Sequence, residues 1–227
     1  MKTVKIDMHV HTIMSFDSVN TPKFILHMCR RKKLDGVLLL DHNKYPPESF
    51  IKYLRRRGLI VLFGNEFKTV LGEIIVVGTK FNVHWFRESP LELIEKTRDE
   101  NGLTILPHPF SRGRNFKDIN LVIRRVDVVE GFNARCFSQR ENLRAMEYAR
   151  RYNRAMTAGS DAHVPFEIGI AYTLVAAESE IEDLMEAIRK GKTALRFKIK
   201  VPIWRMSSAP IKAFKPLISY MLRGVLF

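Results

Sequence analysis

Two histidines one residue apart, His9 and His11, end an apolar, strand-like run near the start of the chain. Side chains alternate faces along a strand, so residues i and i+2 share one face. Two imidazoles side by side on one face are the beginning of a transition-metal site. Of the seven histidines, three others have an acid or a turn residue beside them: Asp41-His42, Pro107-His108-Pro109 and Asp161-Ala162-His163. His27, in a helix-like stretch, and His84, in a Val-His-Trp context, lack that setting. Imidazole mixed with carboxylate suits zinc, manganese or iron and does not choose among them. Any one such histidine is as readily a hydrogen-bonded core residue as a ligand, so the weight rests on how many converge.

Their placement follows from the elements. The chain reads strand, loop, helix, repeated. Strands are expected over 4–8, 36–40, 59–63, 74–77, 103–106, 126–129 and 155–158. Thr21-Pro22 begins a helix, with threonine as N-cap and proline at the first helical position. That helix ends in the cations 30–33, which suit the negative helix terminus. A second helix over 47–57 is closed by Gly58. Capping boxes start at Ser89, Ser138 and Ser179. Strands alternating with helices imply parallel β/α units, and their number points to a closed or nearly closed barrel. Each candidate ligand then falls just past a strand: His9 and His11, Asp41 and His42, Glu66, His108, Glu130 and Asn133, Asp161 and His163. The C-terminal strand ends of a β/α barrel gather on one face, where active sites form. Six separate pieces of sequence therefore converge on one cavity.

These pieces resemble the PHP (polymerase and histidinol phosphatase) domain family. The matching stretches are Asp7-Met8-His9-Val10-His11-Thr12 with Ser15-Phe16-Asp17, Leu40-Asp41-His42-Asn43, Gly64-Asn65-Glu66, Leu106-Pro107-His108-Pro109, Val129-Glu130-Gly131-Phe132-Asn133 and Gly159-Ser160-Asp161-Ala162-His163. They occur in family order and cover residues 1 to about 195. The resemblance implies a distorted (β/α)7, TIM-like barrel with two or three divalent ions (Zn, Mn or Fe) in its mouth. It implies His9, His11, Glu66 and Asp161 around one ion. Glu66 would bridge to a second ion, held also by His108. Asp17, His42 and His163 would hold a third. Members with a full trinuclear site often place a histidine near Glu130. No histidine stands there in this chain, and Asn133 and Glu130 are the nearest polar candidates for an extra ligand. The reaction implied is hydrolysis of a phosphate ester by metal-activated hydroxide, with Glu66, Asp161 and His163 as the residues catalysis rests on. Asp7 and Asp41 neighbour the ligands and are placed either to fix imidazole tautomers or to hold strand ends.

Substrate phosphate calls for cations, and arginine binds it bidentately. Arg135, two residues beyond Asn133, is the first candidate; Arg112 and Arg114, after His108-Pro109, and Lys44 follow.

Composition bounds the rest. The 227 residues suit a single domain with a substantial core. The expected division is a barrel catalytic domain over 1–195 and a basic extension over 196–227 that packs on it. The formal charge is +14, and no acidic residue follows Glu186. Such a surface favours anionic partners: a small phosphorylated metabolite or nucleotide, or nucleic acid through the C-terminal region. The second functional reading is accordingly a nuclease or nucleic-acid-associated protein. Two cysteines give no disulfide framework, no signal peptide is visible and no apolar run is long enough to span a membrane, so a cytoplasmic location is expected. Oligomeric state is not legible in the sequence.

Overall fold

The computed structural model describes residues 2–81, 89–112, 116–178, 180–197 and 211–215. Its elements run β1 (Thr3–His11), α1 (Pro22–Lys32), β2 (Gly36–Leu40), α2 (Glu48–Arg55), β3 (Ile60–Lys68), β4 (Glu73–Val77), α3 (Pro90–Asp99), β5 (Leu103–Leu106), α4 (Ile119–Ile123), β6 (Val128–Asn133), α5 (Gln139–Arg151), β7 (Ala155–Gly159), β8 (Ala171–Ala176), α6 (Ile181–Arg189) and β9 (Thr193–Phe197). The strand order is β7-β6-β5-β4-β3-β2-β1-β8-β9. Strands β1, β2 and β3 pair in parallel, as do β5, β6 and β7. The ends of this sheet meet. His11 N donates to Ala162 O (3.1 Å) and Ala162 N to His9 O (3.3 Å), joining the turn after β7 to β1. Thr173 of β8 ties in β7 by donating to Ala158 O (3.1 Å) and accepting from Ala158 N (2.8 Å). The result is a distorted, nearly closed TIM-like barrel.

Period-two alternation sorts the core. Val4, Ile6 and Met8 of β1, Leu38 and Leu40 of β2, Leu62 of β3 and Ile105 of β5 form one buried cluster with Leu184, Met185 and Ile188 of α6. Val37 and Leu39 point the other way, onto Ile25, Cys29, Ile51 and Leu54 of α1 and α2. Leu93 and Ile94 of α3 and Val122 and Ile123 of α4 cover the face carrying Ile74, Val76, Leu106 and Val129. Thr21 and Ser89 cap their helices as expected, each hydroxyl accepting a backbone N–H at 3.3 Å. At Ser138 the side chain makes no cap bond; Glu141 instead accepts from Phe137 N (2.8 Å).

Three strands depart from the regular alternation of strand and helix. β4 is antiparallel to both β3 and β5, because a tight Thr69–Gly72 turn returns the chain at once. β8 and β9 form an antiparallel extension beside β1. Antiparallel neighbours need no helical crossover, so β3 and β4 are joined by that turn alone, whereas α3 follows β4 and α6 lies between β8 and β9.

Among the described residues no helix is long and apolar enough to cross a membrane. Cys29 and Cys136 are buried and unpaired with each other. Residues 211–215 form a helical turn on the loop between β1 and α1, where Lys215 donates to Ile13 O (2.7 Å) and to Ser18 O. His84, Arg114, Ser179 and most of the 196–227 extension lie outside the described residues.

Candidate metal centre

Two β-bulges aim the site. Val4, Ile6 and Met8 face the barrel core, so strict alternation would seat Val10 with them and turn His9 and His11 away. The pairing of β1 with β2 instead shifts register between Asp7 and Val10. Val10 thereby joins the outer cluster, and His9 and His11 are fully buried at the barrel mouth. β6 shifts likewise between Glu130 and Phe132. Phe132 stacks on Phe197 (3.8 Å between centroids), and both Glu130 and Asn133 reach the site. Re-aiming of side chains is what bulges beside functional sites do. Two further site residues hold left-handed backbone, His108 (φ 27°) and Asp161 (φ 53°). Side chains rarely adopt that conformation without surroundings that fix it.

The first group comprises His9, His11, Glu66 and Asp161. His9 Nε2 and His11 Nε2 are 3.1 Å apart. His9 Nε2 lies 3.6 Å from Glu66 Oε1 and 3.6 Å from Asp161 Oδ1. His11 Nε2 lies 3.5 Å from Glu66 Oε2 and 3.3 Å from Asp161 Oδ1. Ligand atoms about 2.1 Å from a tetrahedral ion stand about 3.4 Å from one another, so this spacing fits an ion. The second group joins His108 to Glu66 (Nε2 to Oε1, 2.9 Å), with His9 beside them. The third sets Asp17 Oδ1 at 3.5 Å from His42 Nε2 and 3.3 Å from His163 Nε2, and His11 packs against both rings. Every one of the eight expected ligands is brought to this mouth.

A purely structural polar cluster would satisfy its own atoms. Here Asp17 Oδ1, His42 Nε2, Glu66 Oε2, Glu73 Oε2 and His163 Nε2 are buried and have no hydrogen-bond partner among the described residues. Glu66 Oε2 lies 2.9 Å from His42 Nδ1 without hydrogen-bond alignment. Lone pairs left facing one small space are what a divalent cation would take up.

The outer contacts orient these groups. His9 Nδ1 faces Glu130 Oε1 (3.0 Å), which leaves Nε2 for the centre. His11 Nδ1 meets Ser15 Oγ (3.1 Å), and that hydroxyl donates to Asp41 Oδ1 (2.6 Å). His163 Nδ1 faces the Asp161 carbonyl (2.8 Å). Carboxylates behind ligating histidines fix tautomer and raise basicity. Asp7 accepts from Ser160 N, Ser160 Oγ and Gly169 N (2.9, 2.6 and 2.8 Å), holding the turn that presents Asp161. Asp41 thus positions an imidazole through Ser15, whereas Asp7 fastens strand ends.

Electrostatics follow from burial and pairing. Burial alone would depress His9, but the carboxylates of Asp161, Glu130 and Glu66 raise it to about 10. His42 rises likewise to about 11 against its burial, through Asp17 and Glu66. His11 is pushed well below the usual range by burial and by His163 and His42 beside it. Burial would raise Glu66 and Asp17, yet the surrounding imidazoles hold both carboxyls below their ordinary range. Burial raises Asp7 and Asp41 to about 6 against several hydrogen bonds.

Other expected site residues sit differently. Both Glu130 oxygens accept hydrogen bonds, Oε1 as above and Oε2 from His108 N and Asn133 Nδ2 (2.9 Å each). Asn133 Nδ2 also donates to Asp161 Oδ2 (3.3 Å). The pair therefore stands behind the ligands. Arg135, the first candidate for substrate phosphate, sets its guanidinium on Glu167 (2.9 Å), whose other oxygen accepts from His163 N (2.7 Å). That pairing steadies the His163 turn. Arg112 and Lys44 are exposed. Two residues reach the centre that sequence reasoning did not name for it. Glu73 Oε2 lies 3.7 Å from His108 Nε2. Lys212 Nζ lies 3.7 Å from Asp17 Oδ2 and 4.8 Å over the Phe16 ring.

Comparison with known proteins bears on the family and the fold. The profile of the PHP-associated family matches residues 139–193. Uncharacterized protein MJ0417 of Methanocaldococcus jannaschii is 35% identical over 181 residues, 74% of this chain and 69% of that protein. Among solved structures, a two-domain protein from Bacteroides vulgatus containing a predicted PHP-like metal-dependent phosphoesterase superposes with a TM-score of 0.69 at 17% identity. The alignment covers 86% of this chain and 65% of that one, just under two thirds of its length. PsfC from Pseudomonas syringae superposes with a TM-score of 0.66 at 17% identity over the full length of both chains. With the relative it covers by more than two thirds, the family profile it matches and the barrel it shares, the chain belongs to the PHP domain family.

Proposed function

We propose that this chain is a metal-dependent hydrolase of phosphate esters, acting on a small phosphorylated metabolite or nucleotide. The observation that carries the reading is the set of unsatisfied imidazole and carboxylate atoms turned into one buried mouth, with Glu66 shared by the groups. Divalent ions held there would supply hydroxide at neutral pH and neutralise charge on a phosphoryl group. Glu66 and Asp161 would provide negative charge to hold such ions. His163, steadied by Glu167, completes the side of the mouth nearest Asp17.

The substrate phosphate would be met by cations on the rim, and Arg135 is occupied in holding the Glu167 turn. Lys212 and Arg112 are the groups we assign to it. The Lys212 side chain is half exposed, so its ammonium can face both Asp17 and a ligand in the mouth. Lys212→Met should raise KM about ten- to a hundred-fold, the loss of one charged hydrogen bond, while kcat and metal content stay near wild type. An unchanged KM would remove Lys212 from the substrate site.

The reading is tested by loading the protein with manganese or zinc and screening p-nitrophenyl phosphate, nucleotides and sugar phosphates for phosphate release. Release is expected from at least one class, and His9→Ala and Asp161→Ala should abolish it. No release across the panel, with cleavage of labelled oligonucleotides instead, would replace this reading with the nuclease.

A further inference from the structure

The PHP-like pattern leaves the second ion short of a ligand on the β6 side, and the structure offers a replacement from a different strand. We propose that Glu73 is a direct ligand of the ion held between Glu66 and His108.

The geometry comes from the reversal of β4. In the parallel strands the mouth receives residues at or just beyond the C-terminal end, such as Glu66 of β3 and His108 after β5. β4 runs the other way, so the mouth receives its first residue, Glu73, which pairs with Lys68 at the end of β3. Ile75 and Val77 face the barrel core while Ile74 and Val76 face outward. Glu73 shares the parity of Ile75 and Val77 and so points inward. Its Oε2 lies 3.7 Å from His108 Nε2, and Glu66 Oε1 lies 2.9 Å from the same nitrogen. One ligand atom each from Glu73, Glu66 and His42 lie within 4.8 Å of one another.

Chemistry favours coordination over a passive role. Glu73 Oε2 is buried and accepts no hydrogen bond among the described residues, and Glu66 Oε2 is in the same condition. Neighbouring carboxylates repel one another unless a cation or a proton lies between them. The alternatives on β6 are already used, since both oxygens of Glu130 receive hydrogen bonds and the Asn133 amide donates to Glu130 and Asp161. A carboxylate from β4 supplies the charge that a histidine on β6 would not, which makes this position harder and better suited to manganese or iron than an all-imidazole one.

The inference rests on the reading that the mouth holds metal, and the experiment separates the two. Wild type and Glu73→Gln are stripped with chelator, titrated with Mn2+ by calorimetry, and analysed for bound metal after dialysis. Wild type should retain at least two ions per chain. Glu73→Gln should retain one fewer, with affinity at the lost position weakened by more than the roughly 10–100-fold that loss of an outer partner costs. Glu73→Asp, which withdraws the carboxylate by one methylene, should fall between them. It also keeps the test open if the glutamine variant folds poorly. Equal stoichiometry and affinity in all three proteins would overturn the assignment and leave the hydrolase reading intact. A wild type that binds no metal would overturn both.

Discussion

Glu66→Gln should cost the protein more than one ion in a single substitution. The residue is the common wall of the centre: Oε1 lies 2.9 Å from His108 Nε2 and 3.6 Å from His9 Nε2, and Oε2 lies 3.5 Å from His11 Nε2. Glutamine preserves shape but removes the charge and turns one oxygen into a donor, which cannot ligate a cation. We expect metal content to fall by two ions and phosphoesterase activity to fall at least a thousand-fold, the order of loss seen when a catalytic unit is broken. The fold should survive. Without metal Glu66 is still paired with His42 and His108 at 2.9 Å, and removing one partner of a buried charge pair is destabilising, so the metal-free variant should melt below metal-free wild type. Metal analysis together with calorimetric melting of both forms checks this. Retention of the full metal complement would show that Glu66 does not bridge.

Gly159→Ala is expected to damage the centre from behind. A methyl group there would lie 2.4 Å from His9 Cβ and 2.9 Å from Glu130 Oε1. Neither neighbour can give way. His9 Cβ moves only with β1, and Glu130 is held by His9, His108 and Asn133. Overpacking of this kind costs about 1–3 kcal/mol of stability. The larger effect should fall on metal binding, because the clash pushes at the His9 ring and at the carboxylate that fixes its tautomer. We expect affinity to weaken by about 100-fold or more, at the upper end of losses for disturbed outer partners. Gly58→Ala is the control: its φ of +86° makes alanine strained, but nothing lies within 4 Å of the added carbon. That variant should lose stability and keep metal affinity. If the two behaved alike, the Gly159 effect would be one of general destabilisation.

Much of this centre was legible in the sequence because parallel strands place chemistry at a readable position. His42, His108 and Asp161 each stand just past a strand end, where a barrel gathers its site, and the structure brings them together. What remained hidden has physical causes. Strand alternation by itself would have turned His9 and His11 out of the barrel. The bulge that corrects it is a register shift between strands, and a single strand carries no mark of it. Glu73 precedes the strand expected over 74–77 and is the first residue of β4, and only the antiparallel direction of β4 brings it to the mouth. Lys212 arrives from a segment 195 residues after Asp17, a contact no local pattern encodes. Arg135 shows the converse. Its sequence position beside Asn133 suggested a phosphate contact, but a buried partner, Glu167, comes from beyond β7 and takes the guanidinium. Charge alone does not say which anion a cation meets.

Residues from separate strand ends form the multinuclear metal site proposed for this chain. Crystals of the full chain grown with manganese or zinc and measured at the metal absorption edge test it most directly. Anomalous peaks are expected inside the barrel mouth, one bounded by His9, His11, Glu66 and Asp161 and a second shared between Glu66 and His108. Metal-loaded crystals with peaks on the surface and none among these residues would contradict it.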